Sequence, residues 1–144
     1  MTLIASMLMV VLGGAVGALA RFGCQKAAER WTSMPGWMAI FFINIFGSFC
    51  IGLSVGWIQE LGAIDLAKDA TALMRYQNMQ EQKYIFALFV VGLCGGYTTF
   101  STFSLDNLFL LYKRPLQLGF NITASVLLAT LAAWGGLALG GGLA

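Results

Sequence analysis

Gly92-Leu93-Cys94-Gly95-Gly96-Tyr97-Thr98-Thr99-Phe100-Ser101-Thr102-Phe103-Ser104 lies inside a long apolar stretch that runs from Tyr84 to Tyr112. No charge interrupts that stretch before Asp106. As one continuous helix it would measure about 42 Å, longer than the roughly 30 Å of hydrocarbon in a bilayer. It therefore reads as a membrane span with room for an interruption. Paired glycines followed by β-branched and hydroxyl residues make a poor helix interior. Non-helical backbone at bilayer depth is tolerated only where it lines a cavity, binds an ion or is buried in protein. The stretch predicts a helix over 84–112 broken near 95–99, with carbonyls freed for a cation or amides for an anion. An intact helix with a small-residue packing face is the alternative.

Three other apolar segments surround it. Leu3 to Ala20 carries no charge and leads straight into Arg21 without a cleavage-site pattern, which reads as a first span rather than a signal peptide. Trp37 and Trp57 bracket the second segment, about 30 Å of helix apart, as two aromatic belts would be. Leu116 onward has no charged side chain, and Pro115 suits the first turn of a helix. The expected helices are 3–30, 37–58, 84–112 and 116–141, in a single membrane domain. The composition agrees, with 144 residues that are 59% hydrophobic and only 10% charged, and a mean hydropathy of +0.82. Soluble domains are nearer a quarter charged.

The connections differ in kind. Arg21 to Gly36 is short, Lys113-Arg114 is a tight turn, and Gln59 to Lys83 is the most polar stretch, part of which could form an amphipathic surface helix. Four spans place Lys68, Arg75 and Lys83 on one side and Arg21, Lys26, Arg30, Lys113 and Arg114 on the other. Such a weak asymmetry gives the positive-inside rule little to act on. The chain could insert both ways and pair antiparallel, or hold one orientation with a modest bias.

Several chemistries are excluded. The net charge of +2 is spread thinly, with no basic patch for nucleic acid. Histidine is absent, and the three cysteines (Cys24, Cys50, Cys94) have no metal-type spacing, so they read as inert thiols. No catalytic set is visible. Gly13 and Gly17 form a close-packing pair. Asn44, Ser48, Gly52 and Gly56 share one helical face, as do Asn121, Ser125, Ala129 and Ala133. Asn44 is costly in a membrane unless it bonds another helix or serves an ion. Arg21 reads either as a snorkelling charge or as a cation drawing anions to a pore mouth. Phe100 and Phe103 share a face; such pairs usually pack or meet lipid, yet their electropositive edges can also meet an anion.

Three motifs together, GGAVGALAR ending at Arg21, NIFGSFCIG from Asn44 to Gly52, and GLCGGYTTFSTFS from Gly92 to Ser104, resemble the Fluc (CrcB) family of small bacterial fluoride channels. They occur in the family's order, one per span, and the resemblance covers nearly the whole chain. It implies an all-α membrane protein of four transmembrane helices with the third broken. It further implies an antiparallel, dual-topology homodimer in the bacterial inner membrane, with two pores for passive fluoride export. Carried over by motif, Asn44 would be a pore donor, and Phe100 and Phe103 would present ring edges to fluoride. Ser101, Thr102 and Ser125 would belong to the polar lining, and Arg21 would sit near the vestibule. Gly95 and Thr98 would give backbone carbonyls to a structural Na⁺ at the dimer centre. One departure is Asn121, where the family often has tyrosine. Another is the extended 59–83 connection.

Two rivals come from other classes. A small multidrug transporter needs a membrane carboxylate, and Asp106, near a span end, is the sole candidate. A purely structural membrane subunit would not need a broken, hydroxyl-rich span.

Overall fold

Hydrophobicity on all sides of a segment suits a helix surrounded by lipid and other helices, not by water. The computed structural model describes residues 2–32, 34–66 and 82–141. Its helices are α1 (Thr2–Trp31), α2 (Gly36–Leu66), α3 (Ala87–Cys94), α4 (Gly95–Tyr97), α5 (Phe100–Lys113) and α6 (Pro115–Leu139). No strand occurs among the described residues. Four helical stretches are long and apolar enough to cross a bilayer: Leu3–Trp31, Gly36–Glu60, Gln82–Lys113 and Pro115–Leu139. The protein is a multi-pass membrane protein.

The third span is the interrupted one, as the sequence predicts. After an α-helical start over 82–86, it continues as α3, a π-helix, wound wider than an α-helix. It runs into the single turn α4, after which Thr98 (φ −77°, ψ 156°) and Thr99 (φ −149°, ψ 119°) are extended. The break thus falls on the two threonines. Gly95 and Gly96 are helical, and an added Cβ at Gly96 would run into the backbone of Gly14. Lacking side chains, these glycines let α4 lie close to α1.

α1 packs against α3 and α4, and α2 packs most extensively against α6 while touching every other helix. In lipid there is no hydrophobic force between helices, so close backbone approach at small residues supplies the packing. Gly13 and Gly17 face the carbonyls of Leu88 and Leu93, and Gly52 faces that of Ala133. Tyr97 ties the break region to both neighbours. Its ring meets Phe46 edge-on with centroids 6.1 Å apart, and its hydroxyl lies 3.6 Å from Cys24 Sγ.

The ends are set by local chemistry. The α5–α6 turn is the single residue Arg114, whose N–H bonds Leu110 O at 2.7 Å. Pro115 follows where no N–H is needed. α6 stops at Leu139, two residues short of expectation, where Gly141 adopts a φ of 90°. α2 continues to Leu66, past the expected end at 58. Residues 67–81 of the polar connection, with Lys68 and Arg75, lie outside the described residues.

Candidate functional site

Two extended residues in mid-span expose a backbone N–H and C=O that no helix satisfies. Asn44 on α2 takes both from Thr99. Its Nδ2 donates to Thr99 O at 3.1 Å, and its Oδ1 accepts from Thr99 N–H at 2.9 Å. One side chain thus acts as a strand rung would. The amide nitrogen keeps a second hydrogen. Thr99, only 6% exposed, then caps α5. Its Oγ1 accepts from Thr102 N–H at 3.3 Å and lies 3.2 Å from the hydroxyls of Ser101 and Thr102.

These bonds divert donors. In a continuous helix Gly95 O would accept from Thr99 N–H, and Thr98 O from Thr102 N–H. The first now serves Asn44 and the second serves Thr99 Oγ1. Both carbonyls therefore lack their α-helical partners. They are hard oxygen ligands of the type alkali and alkaline-earth cations take, and so fit the cation implied for them.

Beside the break lies a groove of about 320 Å³, lined by the polar Asn44, Ser48, Thr98, Thr99 and Ser125 and by the apolar Ile51, Phe100, Phe103, Val126 and Ala129. The Phe100 and Phe103 rings are tilted by 40° with centroids 6.0 Å apart. No lining residue is charged. Hydroxyls, an amide and ring edges can solvate an anion, and without a fixed cation they do not trap it.

Of the residues named from sequence, Asn44, Thr98, Phe100, Phe103 and Ser125 come together here. Ser101 and Thr102 join through Thr99, with Ser101 exposed. Gly95 is exposed at the start of α4. Arg21 stands apart. It lies on α1, which packs on the first half of the third span, and it is not among the groove's lining residues. Three participants were missed: Thr99, Ser48 and Asn107. Ser48 reads in sequence as a packing residue, and Asn107 has no partner at helical spacing to reveal it. Asn107 Oδ1 accepts from Asn121 Nδ2 at 2.8 Å. A second cavity of about 350 Å³, near the α5–α6 turn, includes Asp106, Lys113, Arg114 and Gln117. There Asp106 Oδ2 and Gln117 Oε1 have no protein partner among the described residues.

Residues 8–137 match the family model described as CrcB-like protein, Camphor Resistance (CrcB). The protein named fluoride-specific ion channel FluC of Flavobacterium psychrophilum is 31% identical over 129 residues, 89% of this chain and 90% of that one. The one of Caulobacter vibrioides is 35% identical over 133 residues, covering 91% of each chain. The one of Gluconobacter oxydans is 38% identical over 134 residues, 92% of this chain and 80% of the relative. With the broken third span, its clamp and its uncharged groove in place, this chain belongs to the CrcB family.

Proposed function

We propose that this protein is a fluoride-selective channel that lets fluoride leave the cytoplasm passively. The observation that carries the reading is an uncharged groove, largely apolar with a few amide and hydroxyl groups, at a backbone break in mid-span. Its relatives bear the name of an ion channel, a class that moves ions without chemical turnover. Fluoride is small and strongly hydrated, so a pore must replace its water with donors while leaving the ion free to depart. Asn44 offers its second amide hydrogen, Ser101 and Thr102 their hydroxyls, and Phe100 and Phe103 their ring edges, while Ser125, whose proton is held by Asn121, completes the polar lining. Arg21 attracts anions at the mouth without entering the groove.

The working unit is an antiparallel homodimer with two pores in the bacterial inner membrane. A single chain leaves Phe100 81% exposed beside Thr98 and Ser125. Polar groups such as Asn44 and Ser125 in a groove open to lipid are costly, and a second copy of this chain would cover them. The backbone carbonyls of Gly95 and Thr98 from each copy would hold a structural Na⁺, which would supply positive charge to oxygens that lack their helical partners.

Reconstituted protein should release fluoride from liposomes and retain chloride; equal leakage of both rejects selectivity. Phe100→Ile and Phe103→Ile should each lower fluoride flux at least about tenfold, since donors lost from a desolvated site are poorly replaced, while the protein keeps its elution volume. Undiminished flux removes the rings from the pathway.

A further inference from the structure

Asn121 is the most deeply buried polar side chain among the described residues, with 1% of its surface exposed. An amide at that depth must be bonded. Its Nδ2 donates to Asn107 Oδ1 at 2.8 Å, joining α6 to α5, and its Oδ1 accepts the Ser125 hydroxyl at 3.4 Å. Asn107 follows Phe103 by four residues and shares its face. Ser125, 8% exposed, borders the groove beside Asn44 and the two phenylalanines. The amide pair therefore sits behind the groove and touches it through one hydroxyl.

That hydroxyl has a single proton. While it points at Asn121, Ser125 turns lone pairs to the groove, and an anion there meets an acceptor. Rotating both amides by half a turn keeps two hydrogen bonds and reverses their direction. Asn107 Nδ2 then donates to Asn121 Oδ1, and Asn121 Nδ2 donates to Ser125 Oγ, which frees the hydroxyl proton for the groove. No covalent bond changes and no proton is transferred. Two amides allow this because each carries a donor and an acceptor of nearly the same shape. An ionised carboxylate in either place, which only accepts, would not.

We propose that Asn121, held by Asn107, is a positioning residue whose amide orientation decides whether Ser125 presents a passing anion with a proton or a lone pair. This rests on the channel reading above. The anion interacts favourably with one orientation only, and that difference is what shifts the pair.

The test is a cycle of fluoride efflux measured on liposomes containing wild type, Asn121→Leu, Ser125→Ala and the double variant. Each single change should lower flux about tenfold, the scale of one hydrogen bond, and the double variant should be no slower than the singles. Losses that multiply to about a hundredfold mean that Asn121 acts independently of Ser125, and they overturn the proposal. So does an Asn121→Leu protein that conducts like wild type. Should Asn121→Leu not yield monodisperse protein, Asn107→Leu removes the same bridge at a half-buried position and is carried through the same cycle. A wild type that releases no fluoride rejects the channel reading and this proposal together. A conducting wild type with an indifferent Asn121 rejects the proposal alone.

Discussion

The face of α2 that carries Asn44, Ser48, Gly52 and Gly56 closes on α6 at its glycine end and opens into a groove at its asparagine end. α6 repeats the contrast. Gly136 and Gly140 sit against the backbone of Phe49 and Leu53, whereas Ser125 and Ala129 border the groove. Both ends use small residues at the same spacing, so spacing alone does not decide the outcome. At the closed end, backbone meets backbone with nothing between. At the open end the third span is interrupted, and its polar groups are held by their own partners: Thr99 by Asn44, and Ser125 by Asn121. A packed seam in lipid needs side chains removed, while a pore lining needs side chains kept and their bonds already arranged.

The strongest way to break the closed end is Gly136→Val. A Cβ there would collide with Phe49 O and lie 2.7 Å from Leu53 N. Both are backbone atoms and cannot rotate away. The helices must separate, at about 3 kcal/mol or more. The expected result is a lower thermal unfolding midpoint in detergent. Gly135→Val, where nothing lies within 4 Å, should remain close to wild type. Equal midpoints for the two variants would refute the seam.

At the open end, Asn44→Leu removes the clamp and leaves Thr99 N–H and C=O without partners in an apolar setting. That should cost about 2 kcal/mol and stop ion flux, because the groove loses both its shape and a donor. Unchanged stability together with unchanged flux would show that the break stands without Asn44.

How far the sequence revealed this contrast depends on the interaction involved. Gly13, Gly17, Gly52 and Gly56 announce close approach because a four-residue spacing is a local property of a helix. The interruption near 95–99 was legible for a similar reason, since the run of glycines and hydroxyls is contiguous. Its position within the run was not. That was decided by Asn44, 55 residues away from Thr99, and by α1 accepting Gly96 into a helical turn against Gly14. Asn107 was invisible because its partner Asn121 belongs to another helix across the Arg114 turn. Arg21 was named in sequence at the vestibule, and it lies on α1, which packs mainly on the first half of the third span and does not line the groove, a matter of topology that motif order does not encode.

The smallest expected effect separates the two roles of Thr99. Its backbone is held by Asn44, and its hydroxyl caps α5 by accepting from Thr102 N–H. Thr99→Val keeps the β-branched shape, which suits a φ of −149° and ψ of 119°, but deletes the cap at about 1 kcal/mol. Thr99→Ser keeps the cap. If the hydroxyl serves the helix start, the Val variant should unfold at lower denaturant than the Ser variant while both retain the break. If the two unfold together, Asn44 alone holds the interruption open, and the hydroxyl of Thr99 faces the groove for the ion's sake and not for the helix's.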